Sequence, residues 1–432
     1  MSSTGHQPLD VNDDVDVNWD VDGGAAARGR SGAAADRRVR RRITVIWSLL
    51  FLNGMPYTFG ILPIPRQVGQ LVSAVALALA ILLALTLNRR LLIRANVVLA
   101  LLTVLCGTAL LASLRFLAGP GAVLRSFRLV AFVGVLWLLS PWWGRRDLLL
   151  VRCHLRALLI ALGTVVVGLL VAPGLARPGG RLTGVLWSIP PPQVAQYAGV
   201  AAGIALTLWM SGRLGRSGLA IAVSGLLIVL LTQTRTAIIA LAAGVLCASL
   251  SLFLSRSRVR RTARTALIVV PVAAVALAPA FITWFNRNQT AAERGALTGR
   301  KVVWDALLNA PRTELTRWLG SGLSDKSFNG LPIDSTWLAL YQDEGIIGMV
   351  LVAIMLLTLF VMLLVRPPGP GRAVAAFIVV YCTISSYTEV GLGDASPYML
   401  SLIVATSLLV REQRGDALED ATVDRTAARV SI

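Results

Sequence analysis

The chain has 432 residues, of which 56% are hydrophobic and 15% charged, and its mean hydropathy is +0.71. A soluble globular domain, with about a quarter of its residues charged, is excluded by that balance. The net charge of +19 rests on arginine, since Lys301 and Lys326 are the only lysines. The basic residues are scattered between apolar spans instead of gathered on one face, which argues against a nucleic-acid partner.

Residues 1–42 are polar: acidic at Asp10, Asp13, Asp14, Asp16, Asp20 and Asp22, then Gly/Ala-rich, then Arg37-Arg38-Val39-Arg40-Arg41-Arg42. This composition predicts a disordered tail whose Arg run suits anionic lipid headgroups. The polar start, and a first apolar span long enough to stay in the membrane, argue against a cleavable signal peptide.

A membrane helix needs roughly 20 apolar residues. Twelve spans are read, near 43–62, 67–87, 91–113, 122–140, 150–172, 193–210, 217–232, 235–255, 265–285, 341–365, 372–388 and 395–410. The expected fold is an all-α polytopic membrane protein, with residues 43–410 as its transmembrane domain. Lysine and arginine collect on the cytoplasmic side of such proteins. With the N-terminal Arg run inside, the plan puts Arg89/Arg90/Arg94, Arg145/Arg146, Arg213/Arg216, Arg256/Arg258/Arg260/Arg261/Arg264, Arg366/Arg372 and Arg411/Arg414 inside too. Both termini, including the tail 411–432, are then cytoplasmic, and the expected location is a bacterial inner membrane.

Facing outward are the links 63–66 and 115–121, a loop at 173–192, a tight turn at 232–236, a loop at 388–397 and one large loop at 286–334, between the ninth and tenth spans. The large loop is polar and carries Glu293, Arg294, Arg300, Lys301, Asp305, Arg312, Glu314, Arg317, Asp325 and Lys326. Outward loops are usually poor in basic residues, so this one points to an anionic ligand. Within it, Val302, Val303, Leu307 and Leu308 recur at helical spacing, with Thr298 as candidate cap and Pro311 after the end. That stripe, with Trp304, should lie on the membrane or against the bundle.

Four outward arginines are candidate anion ligands: Arg66, Arg181 in Arg181-Leu182-Thr183-Gly184, Arg235 in Thr232-Gln233-Thr234-Arg235-Thr236, and Arg300 in Gly299-Arg300-Lys301. The planar guanidinium fork donates two parallel hydrogen bonds to a phosphate. Arg235 has apolar neighbours within three residues on both sides. An Arg so placed needs a polar partner or cavity, or snorkels to the headgroups.

The candidate acids are Asp334, Asp343, Glu344 and Glu389. Asp334 reads either as the N-cap of the tenth span, bonded to the Trp337 N–H, or as a general base. Asp343 and Glu344 lie further into that span and need partners, for which the outward arginines are the expected choice. Cys106, Cys153, Cys247 and Cys382 lie in or at the edge of apolar spans, and no Cys/His cluster exists, so neither a disulfide nor a metal site is expected.

Together these residues resemble the O-antigen ligase and O-antigen polymerase family, membrane proteins that move glycans off a polyprenyl-diphosphate carrier. The resemblance is carried by Arg181-Leu182-Thr183-Gly184, Thr232-Gln233-Thr234-Arg235-Thr236, Gly299-Arg300 with Trp304, Asp334-Ser335-Thr336-Trp337-Leu338, Glu344-Gly345-Ile346-Ile347-Gly348 and Thr388-Glu389. They stand in family order over roughly 180–390. The resemblance implies a GT-C-like bundle and a cofactor-free, metal-independent transfer from a polyprenyl-diphosphate-linked glycan to a glycan or lipid-glycan acceptor. It also implies diphosphate binding by Arg181 and Arg235, with Arg300 and Arg66 as further candidates. Asp334, Glu344 and Glu389 are the candidate catalytic carboxylates. The ligases carry a His where this chain has Asp334. His6 and His154 lie elsewhere, which favours a polymerase or another transferase of the family. The competing expectations are a transporter or flippase of lipid-linked glycans, and a transferase using polyprenyl-monophosphate sugars.

Overall fold

A computed structural model describes residues 23–55, 65–116, 119–144, 148–253 and 300–410. The expected span at 265–285, the Thr298 cap, the tail 411–432 and residues 1–22 lie outside the described residues. Residues 1–42 and 43–432 form separate compact units.

The described residues are almost wholly helical. The helices are α1 (Gly23–Asn53), α2 (Arg66–Leu87), α3 (Val97–Arg115), α4 (Pro120–Leu139), α5 (Leu149–Val171), the short α6 (Pro173–Ala176), α7 (Pro191–Met210), α8 (Arg216–Thr232) and α9 (Arg235–Phe253). The large loop contributes α10 (Arg300–Asn309), α11 (Glu314–Leu319) and a hairpin of β1 (Ser327–Phe328) and β2 (Leu331–Pro332). Then follow α12 (Thr336–Val365), α13 (Pro370–Ser385) and α14 (Pro397–Leu409). Among the described residues, six helices are long and apolar enough to cross a membrane: those at α2, α3, α4, α5, α9 and α12. The chain is thus a helical membrane protein in composition and build. The apolar α8, α13 and α14 are shorter.

Local sequence sets many helix ends. Asn96 caps α3, its Oδ1 accepting from the N–H groups of Val98 at 2.8 Å and Leu99 at 3.2 Å. Proline opens α4, α7, α13 and α14, where its missing N–H costs nothing. Two boundaries differ from expectation. Helix α1 starts at Gly23, inside the tail read as disordered, and ends at Asn53 instead of 62. Helix α12 starts at Thr336 instead of 341.

The bundle is tightest around α13, whose residues Ala373 to Val379 are all buried. Glycines let its neighbours approach: a Cβ on Gly203 of α7 would lie 1.8 Å from the Phe377 ring, and one on Gly244 of α9 2.8 Å from it. Small residues at such contacts are how membrane helices gain packing without a hydrophobic drive. His154 belongs to this core. It is fully buried, its Nδ1 accepting from Trp47 Nε1 at 3.4 Å and its Nε2 standing 3.0 Å from Ser401 Oγ. By contrast α2 leaves Leu71, Val75, Leu79 and Leu82 exposed along one stripe, as a lipid-facing helix does.

Helix α12 is broken at Gly345, whose φ of 66° and ψ of −157° interrupt the helix. The large loop fills the break. The N–H groups of Ser321 and Gly322 donate to the carbonyls of Gln342 and Asp343 at 2.9 and 3.0 Å, taking over acceptors that a straight helix would satisfy itself. A Cβ on Gly345 would lie 2.4 Å from the Trp318 carbonyl oxygen, and one on Gly320 2.3 Å from the Asp343 backbone. Only glycine fits either position.

Candidate functional site

Four of the sequence-predicted residues converge from four separate places. Arg181 comes from the loop between α6 and α7. That loop is docked on the end of α8: the Leu182 N–H donates to the Leu231 carbonyl at 3.0 Å, and Arg181 Nε donates to the Thr232 carbonyl at 3.2 Å. Both bonds use carbonyls left over at the helix end. The turn that follows is tight because Gln233 adopts the left-handed conformation, φ 54°, and Arg235 opens α9 on its far side. Arg181 and Arg235 therefore flank one corner.

Arg300 opens α10, which packs on the bundle. Val303 and Leu307 bury against Ile333 and Ala339, with Trp304, Leu338 and Val390 around them. Trp304 meets the Tyr387 ring edge-on, with centroids 5.4 Å apart. Of the expected stripe, Val303 and Leu307 take the bundle, while Val302 and Leu308 stay exposed. Arg300 Nε donates to Asp334 Oδ2 at 3.1 Å. The helix start, one residue further on, overturns the capping alternative for Asp334. The N-cap of α12 is Ser335, which makes no side-chain cap bond.

Glu389 follows α13, its N–H donating to the Ser385 carbonyl at 2.8 Å and its carbonyl accepting from Thr336 Oγ1 at 2.6 Å. The second bond ties the start of α12 to this segment. Glu389 is buried, and its Oε1 has no hydrogen-bond partner among the described residues. Burial pushes its carboxyl up to about 8; Asp334 adds to the rise, while Arg300 and Arg181 oppose it. Arg181 feels the same group. Burial and the Arg300 cation pull its guanidinium below the usual value, against Glu389 and Asp334. Arg181, Arg300, Asp334 and Glu389 thus share one electrostatic site. Nearby, Oγ1 of Thr234, Oγ1 of Thr388 and Nε1 of Trp304 are also buried without a partner among the described residues. Such groups normally find one.

Three expectations change. Glu344 is not part of this site. It is fully buried in α12, and the charges acting on it are Lys326, Asp343 and Asp394. The partner of Asp343 is not an outward arginine but Lys326, with the Ser324 N–H as second donor at 3.1 Å. Arg312, expected among the anion-attracting charges, is held by the Tyr341 carbonyl and Gln342, 4.4 Å over the Tyr341 ring. Arg66 begins α2, and its side chain lies outside the described residues.

The hairpin links the two charged groups, and sequence reasoning missed it although its signal is Asn329-Gly330. Both residues have positive φ, 51° and 77°, as a type I′ turn requires. Just beyond β2 the Ile333 N–H donates to the Lys326 carbonyl at 2.9 Å. Lys326 on one arm therefore reaches Asp343, and Asp334 after the other arm reaches Arg300.

No protein-family model matches the chain, and no curated protein matches it.

Proposed function

We propose that the protein is a membrane glycosyltransferase, a glycan polymerase or ligase, that moves a glycan from a polyprenyl-diphosphate carrier to an acceptor hydroxyl. The observation that carries this reading is the convergence of Arg181 and Arg300 on a buried carboxylate, Glu389, whose Oε1 makes no hydrogen bond among the described residues. The fuller architecture belongs to the same proposal: twelve spans, a GT-C-like bundle, cytoplasmic termini and a site at the extracytoplasmic face.

The chemistry follows from the charges. Arg181 and Arg300 neutralise the diphosphate as it departs, with Arg235 across the turn from Arg181 as a third cation, the largest single contribution such a site makes. The acceptor oxygen attacks the anomeric carbon, and the bond from that carbon to the diphosphate breaks with its electron pair leaving on the diphosphate. The acceptor proton passes to Glu389. A base works best with a pKa near the working pH, and Glu389, pushed up to about 8, meets that condition. Asp334, bound to Arg300, is the positioning residue for the clamp. One displacement inverts the anomeric centre.

A second reading, transport of the intact lipid-linked glycan, draws on the broken α12 with buried Glu344 beside the break, since transporters place sites at discontinuous helices. One assay separates the two. Vesicles carry the full protein, a polyprenyl-diphosphate-linked oligosaccharide and an acceptor copy of it, and free polyprenyl diphosphate is followed. Release by wild type, reduced at least about 100-fold in Arg181→Ala and in Glu389→Gln, supports transfer. Movement of the intact donor across the bilayer without release would sink it.

A further inference from the structure

Helix α11 packs against both α12 and α3. Three contacts fix its height on them. The Trp318 carbonyl oxygen lies against Gly345, where a Cβ would come within 2.4 Å of it. The Ser321 N–H donates to the Gln342 carbonyl at 2.9 Å. The Leu323 N–H donates to Ser113 Oγ of α3 at 3.2 Å. From Gly345, α12 runs unbroken to Val365, about 30 Å at 1.5 Å per residue. The hydrocarbon core of a bilayer has the same thickness, roughly 30 Å. Helix α3 gives nearly the same measure, since from Val97 to Ser113 it rises about 25 Å. The C-terminal end of α11 thus stands one hydrocarbon thickness from the far ends of both helices.

The lipid-facing surface reaches this height. Leu111 and Leu114 of α3 are exposed, Leu114 one residue beyond Ser113, and Val350, Ile354 and Leu357 make an exposed stripe on α12 past Gly345. Helix α11 is two-sided. At about 3.6 residues per turn, Leu315, Trp318 and Leu319 share one side and Arg317 takes the opposite one. Trp318 is 51% and Leu315 45% exposed, an uncovered apolar pair. Helix α10 differs, because it buries Val303 and Leu307 against the bundle. Tryptophan collects at the edge of a bilayer, where its ring meets the acyl chains and its N–H the wet headgroups.

We propose that α11 is an interfacial helix that docks the large loop on the bilayer. Its partner is the boundary between headgroups and acyl chains in the leaflet on the loop side. Trp318 and Leu315 enter that boundary by about 5–10 Å, with Arg317 on the wet side. The pair extends the apolar surface of α3 and α12 at the level where the hydrocarbon ends, so the occupant this surface fits is lipid. The next residues of the same segment, Ser321 and Gly322, supply their N–H groups to the broken α12. Contact with the bilayer therefore also braces the loop in the break.

The test reads tryptophan fluorescence of the full protein in nanodiscs of zwitterionic phospholipid. The acyl chains carry bromine near the headgroup, near the chain end, or not at all. The chain has 11 tryptophans, so the Trp318 signal is the difference between wild type and Trp318→Phe, and the Trp304 signal that between wild type and Trp304→Phe. Bromine near the headgroup should at least halve the Trp318 signal, bromine at the chain end should quench it less, and aqueous iodide should quench it little. The Trp304 signal, from a ring packed on the bundle, should fall less. Iodide quenching of Trp318 without bromine quenching overturns the proposal and leaves α11 in water. Equal bromine quenching of both rings overturns it too, because the loop as a whole would then lie on the membrane. For the brace, Leu315→Glu in the same nanodiscs should speed hydrogen exchange at the Ser321 and Gly322 amides at least tenfold while α5 exchanges as in wild type, and unchanged exchange at both amides overturns that part. Glycan transfer is not read, so these outcomes and that of the vesicle assay stand apart.

Discussion

Two groups of charges meet at the loop face of the bundle, and their ion pairs differ in how far they are open to solvent. At Asp343 the carboxylate is 1% exposed, paired with Lys326 and held by the Ser324 N–H. Burial would strip the Lys326 ammonium of its proton, but Asp343, Asp394 and Glu344 outweigh it and hold the group above its ordinary value. At the other site the Arg300–Asp334 pair is 26% and 41% exposed, and Glu389 behind it keeps an oxygen without a partner. The first group stitches the loop to the broken helix. The second stands partly open to solvent at its ion pair. Glu344 beside the first group also keeps both carboxylate oxygens without a partner among the described residues, so what sets the second group apart is its partly exposed ion pair.

The sharpest way to break this contrast is Lys326→Met. It leaves Asp343 and Glu344 buried without their cation, and removing one partner of a buried pair costs about 3–5 kcal/mol. Thermal unfolding in detergent should show a large loss of stability, and a drop within about 1 kcal/mol would place Lys326 with the surface charges instead. Next in size is the pH response of Glu389. Its carboxyl is raised from 4.5 to about 8, so the folded state holds a proton that the unfolded chain gives up. The associated stability is complete below pH 4.5 and is lost as pH rises through about 8. Wild type should unfold at a lower temperature at pH 9 than at pH 6, and Glu389→Gln should lose most of that difference. An unchanged slope would remove Glu389 from its buried, proton-holding role. The smallest effect is expected for Asp334→Asn, because a pair this exposed contributes less than about 1 kcal/mol. Unfolding should barely move while polyprenyl diphosphate release falls, which separates a positioning residue from a structural one.

Of the site, the arginines and Glu389 were legible in the sequence, because a charge at the edge of an apolar span needs a reason to be there. The roles of the acids were less so. Asp334, Asp343 and Glu344 sit within eleven residues of each other, and the sequence offered the outward arginines as partners for Asp343 and Glu344. The break at Gly345 and the hairpin turn at Asn329-Gly330 separate them, sending Asp334 to Arg300 and Asp343 to Lys326. Both devices depend on positive φ, which a periodicity argument does not register.

The sequence by itself determined that this is a helical membrane protein, where most of its helices run, and that cationic side chains stand at the ends of those helices. Hydropathy and charge are properties of each residue taken singly, and the bilayer sorts them one by one. Which arginine meets which carboxylate was decided only by tertiary structure. Arg181, Arg300, Asp334 and Glu389 span more than two hundred positions in the chain, and their meeting follows from how the loop before α7 docks on the end of α8 and the large loop packs against α12 and the segment after α13. Burial at that meeting point, more than the identity of the residue, lifts the carboxyl of Glu389.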